Sequence, residues 1–175
     1  ASSGIGLKTA QRLVEEGARV TLVARTEETL EAIAAAAPDA MLAVAGDVAD
    51  PALVERMFAE TERHFGACDL LVNSAGSIEP KLLTAMSDAD WDRAFDVNVR
   101  AIFLACRRAL PSMMRARRGS IVTIASISGV PGPQKFPGFT AYCAAKGAVI
   151  SLTEALAAEV KDSGVRVNCV SPGSV

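Results

Sequence analysis

The sequence predicts an α/β fold, built as one domain over residues 1–175 on a doubly wound parallel sheet. Three observations lead to this prediction. Short apolar segments of strand length alternate with amphipathic segments of helical period along the chain. A glycine- and serine-rich start leads into a helix and then a strand, which is the order of a dinucleotide-binding unit. Half of the residues are hydrophobic but only 5% are aromatic, a composition typical of α/β packing.

Local signals predict each element in turn. Apolar residues at helical spacing predict a helix over 5–16, and Gly17 is suited to end it. The apolar run 20–24 predicts a buried strand. Asp50 as N-cap and Pro51 in the first helical position begin a helix that reaches 65. The other predicted elements are helices after Thr26, over 87–115 and over 140–161, and strands over 41–45, 69–73 (also buried), 120–125 and 166–170.

Charge and hydropathy argue against two classes of partner. The net charge of −2 gives no electrostatic basis for binding nucleic acid. The basic residues Arg115, Arg117 and Arg118 are interpreted as cations at a helix C-terminus rather than as a nucleic-acid patch. No stretch of the sequence is long and apolar enough to predict a membrane span.

Cysteine and histidine usage predicts no metal site and a cytoplasmic location. The four cysteines are scattered without a C-x-x-C pair, and His64 is the single histidine of the sequence. Cysteines in apolar stretches suit the reduced thiols of an intracellular protein.

A tyrosine and a lysine form the most informative pair in the chain. Tyr142 and Lys146 are four residues apart in a predicted helix, so they share one face. An ammonium beside a phenol favours the phenolate, and a tyrosine that readily exchanges its proton is a general acid/base. A half-buried tyrosine beside a solvated lysine is the alternative interpretation.

The first residues predict a phosphate-binding loop. Glycine lets the backbone approach a phosphate closely, and a helix N-terminus favours its negative charge. The spacing of Gly4 and Gly6 differs from G-x-G-x-x-G, so a plain turn into a helix is the alternative. The loop residues are Ser2, Ser3, Gly4, Ile5 and Gly6.

The ordered set of motifs resembles the short-chain dehydrogenase/reductase family over the whole chain. Each motif is weak alone, but seven in order at plausible spacing are hard to produce by chance. The resemblance implies a Rossmann-like fold and an NAD(P)-dependent oxidoreductase that interconverts a carbonyl and a secondary alcohol. The motifs are the run from Ala1 to Gly6, Asp47 with Val48, the run from Asn73 to Gly76, Asn98, Ser126, Tyr142 with Lys146, and Pro172 with Gly173.

The resemblance also implies a catalytic set. Tyr142 would be the general acid/base, and Lys146 would favour its phenolate and bond the nicotinamide ribose. Ser126 would hydrogen-bond the substrate oxygen, with Ser128 as the competitor for that role. Asn98 would bend its helix and place a water near the lysine, whereas a surface asparagine is the alternative.

The cofactor site implied by the resemblance is larger. Asp47 would bond the adenine amino group with Val48 beneath the ring, although a loop carboxylate that caps backbone is the alternative. The run from Asn73 to Gly76 would lie under the adenosine ribose, and it also fits a strand-ending turn. The implied cofactor-binding residues are Ser2, Ser3, Gly4, Ile5, Gly6, Arg25, Asp47, Val48, Asn73, Ala75, Gly76, Tyr142, Lys146, Pro172 and Gly173.

The residues that end the strand after the loop helix favour NADP, with NAD as the alternative cofactor. In this fold an acid there binds the ribose 2′-hydroxyl and disfavours a 2′-phosphate. Here Ala24 and Arg25 remove the carboxylate and add a guanidinium, which suits a phosphate. Glu27 and Glu28 follow, where the first turn of a helix favours acids in any case.

The chain is expected to be a fragment. A phosphate loop should leave the carboxyl end of a strand, yet no strand precedes Ala1, and the chain stops shortly after Gly173. We expect the missing strand to lie between those at 20–24 and 69–73. The 175 residues alone are then expected to fold poorly and to lack reductase activity, and a targeting signal could precede them.

The sequence leaves the substrate open beyond a small carbonyl compound or alcohol. The gap from Ser126 to Tyr142 is longer than in the common pattern of the family, and the extra length falls in 133–139. There Phe136 and Phe139 either wall an apolar entrance or belong to a variable surface loop. Alternative functions are a non-catalytic dinucleotide-binding sensor or scaffold, and an epimerase or dehydratase of the extended branch.

Assembly is expected on two helices. Apolar residues occupy more than one face of the predicted helices around 94–110 and 148–160. One face covers the sheet, and the other needs a partner. With the family resemblance, this predicts a homodimer or homotetramer.

Overall fold

The computed structural model describes residues 1–173, which form two compact units, one over 1–68 and one from Asp69 onward. Helices and parallel strands alternate along both, so the predicted α/β fold class is confirmed. The helices are α1 (Gly4–Glu15), α2 (Glu27–Ala34), α3 (Pro51–Phe65), α4 (Asp88–Phe95), α5 (Ala101–Ala116) and α6 (Thr140–Glu159). The strands are β1 (Val20–Ala24), β2 (Met41–Ala45), β3 (Leu70–Asn73), β4 (Gly119–Ile124) and β5 (Val165–Val170).

The first unit is built on a two-stranded parallel sheet. β1 pairs with β2 in a register that sets Val20 opposite Met41, and both strands have their predicted bounds. Leu22 on β1 and Leu30 on α2 are fully buried in the core of this unit. The apolar runs therefore predicted both strands correctly.

Helix ends in this unit also follow the predicted signals. Asp50 Oδ1 accepts the N–H of Ala52 at 2.9 Å, and Pro51 occupies the first turn of α3. After α1, Gly17 adopts a φ of 88° and its N–H donates to Val14 O at 2.9 Å. A left-handed glycine here satisfies a carbonyl of the last helical turn.

The second unit is built on a three-stranded parallel sheet in the order β3–β4–β5. Ile121 on β4, Met113 on α5 and Val149 on α6 are fully buried, and α5 contacts β4 while α6 contacts β5. The basic run lies at the end of α5, as predicted. There Arg117 Nη2 donates to Asp162 O at 3.1 Å, and Arg118 Nη2 bonds the Asp69 carboxylate at the same distance.

The strands predicted as buried at 20–24 and 69–73 are less buried than expected. Leu22 is the fully buried residue of β1, and all four residues of β3 are half-buried. The reason is that each strand lies at the edge of its sheet, with no ladder joining β1 to β3 within the described residues. The expected strand between these two, and one domain over 1–175, stay predictions.

The long helix predicted over 87–115 is interrupted. α4 and α5 are joined by a π-helical turn over Asp96–Arg100. Ser87 caps α4 in a reciprocal bond with Asp90, so the predicted start is correct. The interruption was not predicted as a π turn, and its cause is a side chain of the candidate site.

Two further properties concern the described part of the chain as a whole. No helix within residues 1–173 is long and apolar enough to cross a membrane. The four cysteines are free thiols, of which Cys106 is buried.

Candidate active site

The Tyr142–Lys146 pair lies in the first two turns of α6. Lys146 is only 4% exposed, so the alternative of a solvated lysine is wrong. Its Nζ donates to Ile124 O, at the end of β4, at 2.8 Å and lies 5.8 Å from the centroid of the Tyr142 ring. Burial lowers the pKa of Lys146. The carbonyl of β4 thus fixes the ammonium beside the half-buried tyrosine.

Asn98 explains the π turn. Its Nδ2 donates to Ala94 O, four residues earlier, at 2.9 Å, where a regular helix would place a backbone N–H. The same Nδ2 donates to Ser77 O at 2.9 Å, and Oδ1 accepts the N–H of Ser77 at 3.3 Å. Asn98 is fully buried, so the alternative of a surface asparagine is wrong. It holds both backbone groups of the residue that follows Gly76.

Gly76 lies between the two buried polar side chains. A Cβ built on it would be 3.0 Å from Asn98 Oδ1 and 3.5 Å from Lys146 Nζ. Gly76 is nevertheless exposed, as is Ala75. The run after β3 therefore packs its backbone against the buried amide and ammonium, so closely that a larger side chain at Gly76 would crowd the amide oxygen.

Ser126 follows β4 and is buried. Its Oγ accepts the N–H of Ser128 at 3.1 Å and begins the 3₁₀ turn Ile127–Gly129. Because this bond uses the oxygen as acceptor, the hydroxyl hydrogen stays available for another acceptor. Pro172 contributes here through its backbone, since its carbonyl accepts the N–H of Ile127 at 2.9 Å.

Gly129 also belongs to the site, although it was not among the predicted site residues. A Cβ on it would lie 2.5 Å from the carbonyl carbon of Lys146 and 2.7 Å from the nitrogen of Gly147. Glycine therefore lets the serine turn pack directly on the backbone of α6 at Lys146. Its sequence signal is the spacing Ser-x-x-Gly after a strand, the same spacing that favours Ser126 over Ser128 in the family resemblance.

The side chain of Asn73 links β3 to its neighbours. Its Nδ2 donates to Thr123 Oγ1 at 3.2 Å and to Cys106 Sγ at 3.6 Å, so the side-chain amide links β3 to β4 and α5. Burial raises the pKa of the Cys106 thiol to about 11. The side chain of Asn73 thus has a packing role at the end of its strand.

An aromatic row leads from the surface to Tyr142. Phe136 is 57% exposed and meets Phe139 edge-on at 5.8 Å between ring centroids. Phe139 meets Tyr142 in the same way at 6.2 Å. The N–H of Lys81 donates to Gly138 O at 2.9 Å, which joins the segment after β3 to this row.

The predicted phosphate loop lies in the first unit. Gly4 begins α1 with a φ of 55°, a conformation that favours glycine. Ser3 makes no side-chain cap bond to the helix, so the first-turn N–H groups of α1 have no cap from that residue. Ala1 N donates to Val23 O at 2.5 Å, which sets the loop beside the end of β1.

The other first-unit candidates follow the carboxyl ends of β1 and β2. Arg25 is exposed directly after β1. Asp47, two residues after β2, accepts the N–H of Ala49 at 3.0 Å, as a backbone-capping carboxylate would. Ala24 lies opposite Ala45 in the ladder, and these are the last residues of β1 and β2. Arg25 and the residue before Asp47 therefore both follow the carboxyl edge of this sheet.

The two units thus hold two separate groups of candidates. The second brings Asn98, Ser126, Tyr142 and Lys146 together around the end of β4, with Gly76 beside them. Pro172 meets the serine turn through its carbonyl, and Gly173 follows it at the edge of the described residues. The class of protein is therefore a parallel α/β protein with a tyrosine–lysine site at the end of a strand.

Comparison with known proteins narrows the class. The family described as short chain dehydrogenase matches residues 1–175, so the chain belongs to that family. It is 42% identical over 182 aligned residues to 2-(R)-hydroxypropyl-CoM dehydrogenase of Xanthobacter autotrophicus, with 100% of this chain and 72% of that protein covered. Inactive 2-(S)-hydroxypropyl-CoM dehydrogenase 2 of the same organism is 41% identical, with 95% and 71% covered.

A solved structure supports the same relationship. A short-chain dehydrogenase from Streptomyces avermitilis superposes with a TM-score of 0.92 at 34% identity. The alignment covers 99% of this chain and 63% of that structure, so the chain spans less than two thirds of its length. Parallel α/β architecture and family membership thus rest on both sequence and structure.

Proposed function

We propose that the full-length protein is an NAD(P)-dependent oxidoreductase that interconverts a carbonyl and a secondary alcohol. The observation that carries the proposal is the buried Lys146 ammonium, fixed by Ile124 O at 2.8 Å and set 5.8 Å from the Tyr142 ring centroid. A phenol held in place beside a lysine can act as a general acid/base, so Tyr142 is suited to exchange a proton with a substrate oxygen. Membership of the family supports the same assignment.

Each side chain has a task in this proposal. Tyr142 gives the proton to the carbonyl oxygen, or takes it from the alcohol. Ser126 donates its hydroxyl hydrogen to the same oxygen, where negative charge develops during reduction. Asn98 fixes the backbone of Ser77, where the segment after β3 continues. Lys146 supplies a cation beside the Tyr142 phenol. When bound, the nicotinamide supplies or accepts the hydride.

The residues present fit a dinucleotide. The N-terminus of α1 offers N–H groups without a cap from Ser3, and the positive φ of Gly4 lets the backbone approach a phosphate. In the second unit, exposed Gly76 lies beside Asn98 and Lys146, where any added Cβ would crowd the amide oxygen at 3.0 Å. These two features would hold a pyrophosphate and a nicotinamide ribose respectively.

NADP is the proposed cofactor, with NAD as the alternative. Exposed Arg25 follows β1 where an acid would disfavour a 2′-phosphate, and Ala24 supplies no carboxylate. A guanidinium can form paired hydrogen bonds with a phosphate. This preference is proposed from the first unit alone.

A non-catalytic dinucleotide-binding protein is the second candidate. The observation that favours it is the relative at 41% identity whose name calls it inactive, almost as similar as the relative named as a dehydrogenase. Retention of Tyr142, Lys146, Ser126 and Asn98 in one unit, with Lys146 Nζ 5.8 Å from the Tyr142 ring centroid and bonded to the end of β4, favours the enzyme.

Assembly into a homodimer or homotetramer and a cytoplasmic location are further parts of the proposal. Phe103 and Met114 on α5 are 45% and 44% exposed, which supports a second apolar face on that helix. Free cysteines support a reducing compartment.

The experiment that tests the function is Tyr142→Phe in the full-length protein. Removal of the phenolic hydroxyl should lower turnover of carbonyl and alcohol substrates by about 10²–10⁴-fold, the usual worth of a general acid/base. The Kd for NADPH, measured by fluorescence titration, should stay near that of the parent. Near-normal turnover by the variant would refute the assignment, and a parent that binds cofactor but turns over no substrate would favour the second candidate.

A further inference from the structure

The ammonium of Lys135 lies among three backbone carbonyls and has no task in the proposed mechanism. It donates to Val130 O at 2.6 Å, to Ser128 O at 2.8 Å and to Ile127 O at 3.5 Å. A lysine ammonium has three donors, so all of them face one short segment. The side chain is exposed, and it belongs to the segment between Ser126 and Tyr142.

The segment that Lys135 binds is the turn that holds Ser126. The N–H of Ser128 donates to Ser126 Oγ at 3.1 Å, and the N–H of Gly129 donates to Ser126 O at 3.0 Å. The first N–H shares its peptide group with Ile127 O, and the second shares its peptide group with Ser128 O. Two peptide groups therefore lie between Lys135 and Ser126. Their carbonyl oxygens accept from the Lys135 ammonium, and their N–H groups donate to Ser126.

This arrangement has an electrostatic consequence. A cation on a peptide carbonyl polarises the group, which makes its N–H a stronger donor. A stronger bond from Ser128 N–H keeps Ser126 Oγ as acceptor in that direction and leaves its hydrogen for the substrate oxygen. The cation also restrains the two peptide planes, and so the position of the oxygen between them.

We propose that Lys135, in the segment between the serine and Tyr142, is a positioning residue for Ser126. The proposal rests on the proposed function, because it gives Ser126 a hydrogen bond to the reacting oxygen. Lys135 acts through the backbone of Ile127–Gly129 and touches neither substrate nor cofactor.

The test is Lys135→Met in the full-length protein, with two readouts. Amide hydrogen exchange of the peptide that contains 126–130 should become faster, since the turn loses its cation. We expect kcat to fall about tenfold, part of the about 10²–10³-fold loss that follows removal of a whole oxyanion donor. The Kd for NADPH should not change, because the cofactor does not meet this turn in the proposal.

Two companion variants separate positioning from general damage. Lys135→Arg keeps a cation that can bond carbonyls, so it should restore most of both kcat and exchange protection. Lys161→Met removes another exposed lysine of the same unit and should change neither readout.

The outcomes distinguish this proposal from the function on which it rests. Unchanged exchange at 126–130 in Lys135→Met would overturn the contact, and faster exchange with unchanged kcat would overturn the positioning role. A parent protein that binds NADPH but turns over no carbonyl or alcohol would overturn the function first. The exchange measurement would still report on the contact in that case.

Discussion

The candidate residues of the two units differ in how they are held. In the first unit Ser3, Gly4 and Arg25 are exposed, and Ser3 makes no side-chain bond to the helix it precedes. In the second unit Asn98 and Lys146 are at most 4% exposed, and each donates to main-chain carbonyls. The first group therefore lies at the surface of its unit, whereas the second is part of the core.

Burial couples chemistry to folding in the second unit. An amide or an ammonium inside a protein costs free energy unless its hydrogen bonds are made. Ser77, Ala94 and Ile124 supply those bonds through their backbones. Changes in the second unit should therefore alter stability and activity together, and changes in the first should alter ligand binding alone.

The largest effect expected from this comparison is at the contact between the serine turn and α6. Gly129→Ala would set a Cβ 2.5 Å from the backbone of Lys146, so the turn or the helix must shift. We expect a loss of about 1–3 kcal/mol in the free energy of unfolding, as overpacking costs, together with a fall in kcat of tenfold or more, on the order of one displaced catalytic group. Denaturant unfolding and steady-state kinetics would measure both.

Gly147→Ala is the matched control across the same contact. Its Cβ would lie 3.5 Å from Gly129 O, an ordinary contact, and alanine is the better helix former inside α6. We expect unchanged or increased stability, by up to about 1 kcal/mol. If the two alanines had equal effects, close packing at Gly129 would not be what constrains the turn.

A smaller effect is expected in the first unit. Arg25→Ala should lower the preference for NADPH over NADH about tenfold, roughly the loss of one charged hydrogen bond to a phosphate. The melting temperature should stay constant, because Arg25 is exposed. Arg12→Ala, which removes an exposed arginine of α1, is the control for general charge. A parent that prefers NADH would contradict the role proposed for Arg25. A melting temperature lowered by Arg25→Ala would contradict the expectation that changes in the first unit alter ligand binding alone.

The smallest effect is expected at an exposed residue of the second unit. It tests whether burial, rather than membership of the second unit, determines how much a substitution destabilises the protein. Lys81 and Ser87 both donate to the Asp90 carboxylate, and these bonds hold its pKa well below the usual range. A carboxyl whose pKa is lowered on folding stabilises above its unfolded pKa, and this contribution fades as pH falls toward the folded pKa. Because the pair is exposed, Asp90→Asn should lower the melting temperature only slightly near neutral pH.

The pH dependence is the decisive measurement for Asp90. The difference in melting temperature between parent and Asp90→Asn should shrink from about pH 7 to about pH 3. In this range the unfolded chain binds a proton at Asp90, whereas the folded carboxylate stays ionised, and this difference in proton binding favours unfolding. A difference that grows in acid would have the wrong sign for this pair.

Local signals in the sequence were enough for much of the fold. The bounds of β1 and β2 follow from apolar runs, and the start of α3 follows from Asp50 and Pro51. Ser87 likewise marks the start of α4. Such signals lie within a few residues of the element they set, so a sequence displays them directly.

Tertiary contacts explain what could not be predicted. The π turn depends on Asn98 reaching Ser77, and the need for glycine at 129 depends on where α6 packs. The side-chain amide of Asn73 meets Thr123 and Cys106 on other elements, while its implied role at the cofactor stays a prediction. None of these partners is near in sequence, so no local pattern reports them.

The bond pair between Asn98 and Ser77 also bears on how this chain can diversify. The amide of Asn98 occupies both the N–H and the C=O of Ser77, much as an adjacent β-strand would. A helix side chain thus recognises the loop by its main chain, with no demand on the loop's own side chains. Substitutions of the residues that follow Ser77 should therefore leave this bond pair, and with it the position where the loop begins, unchanged.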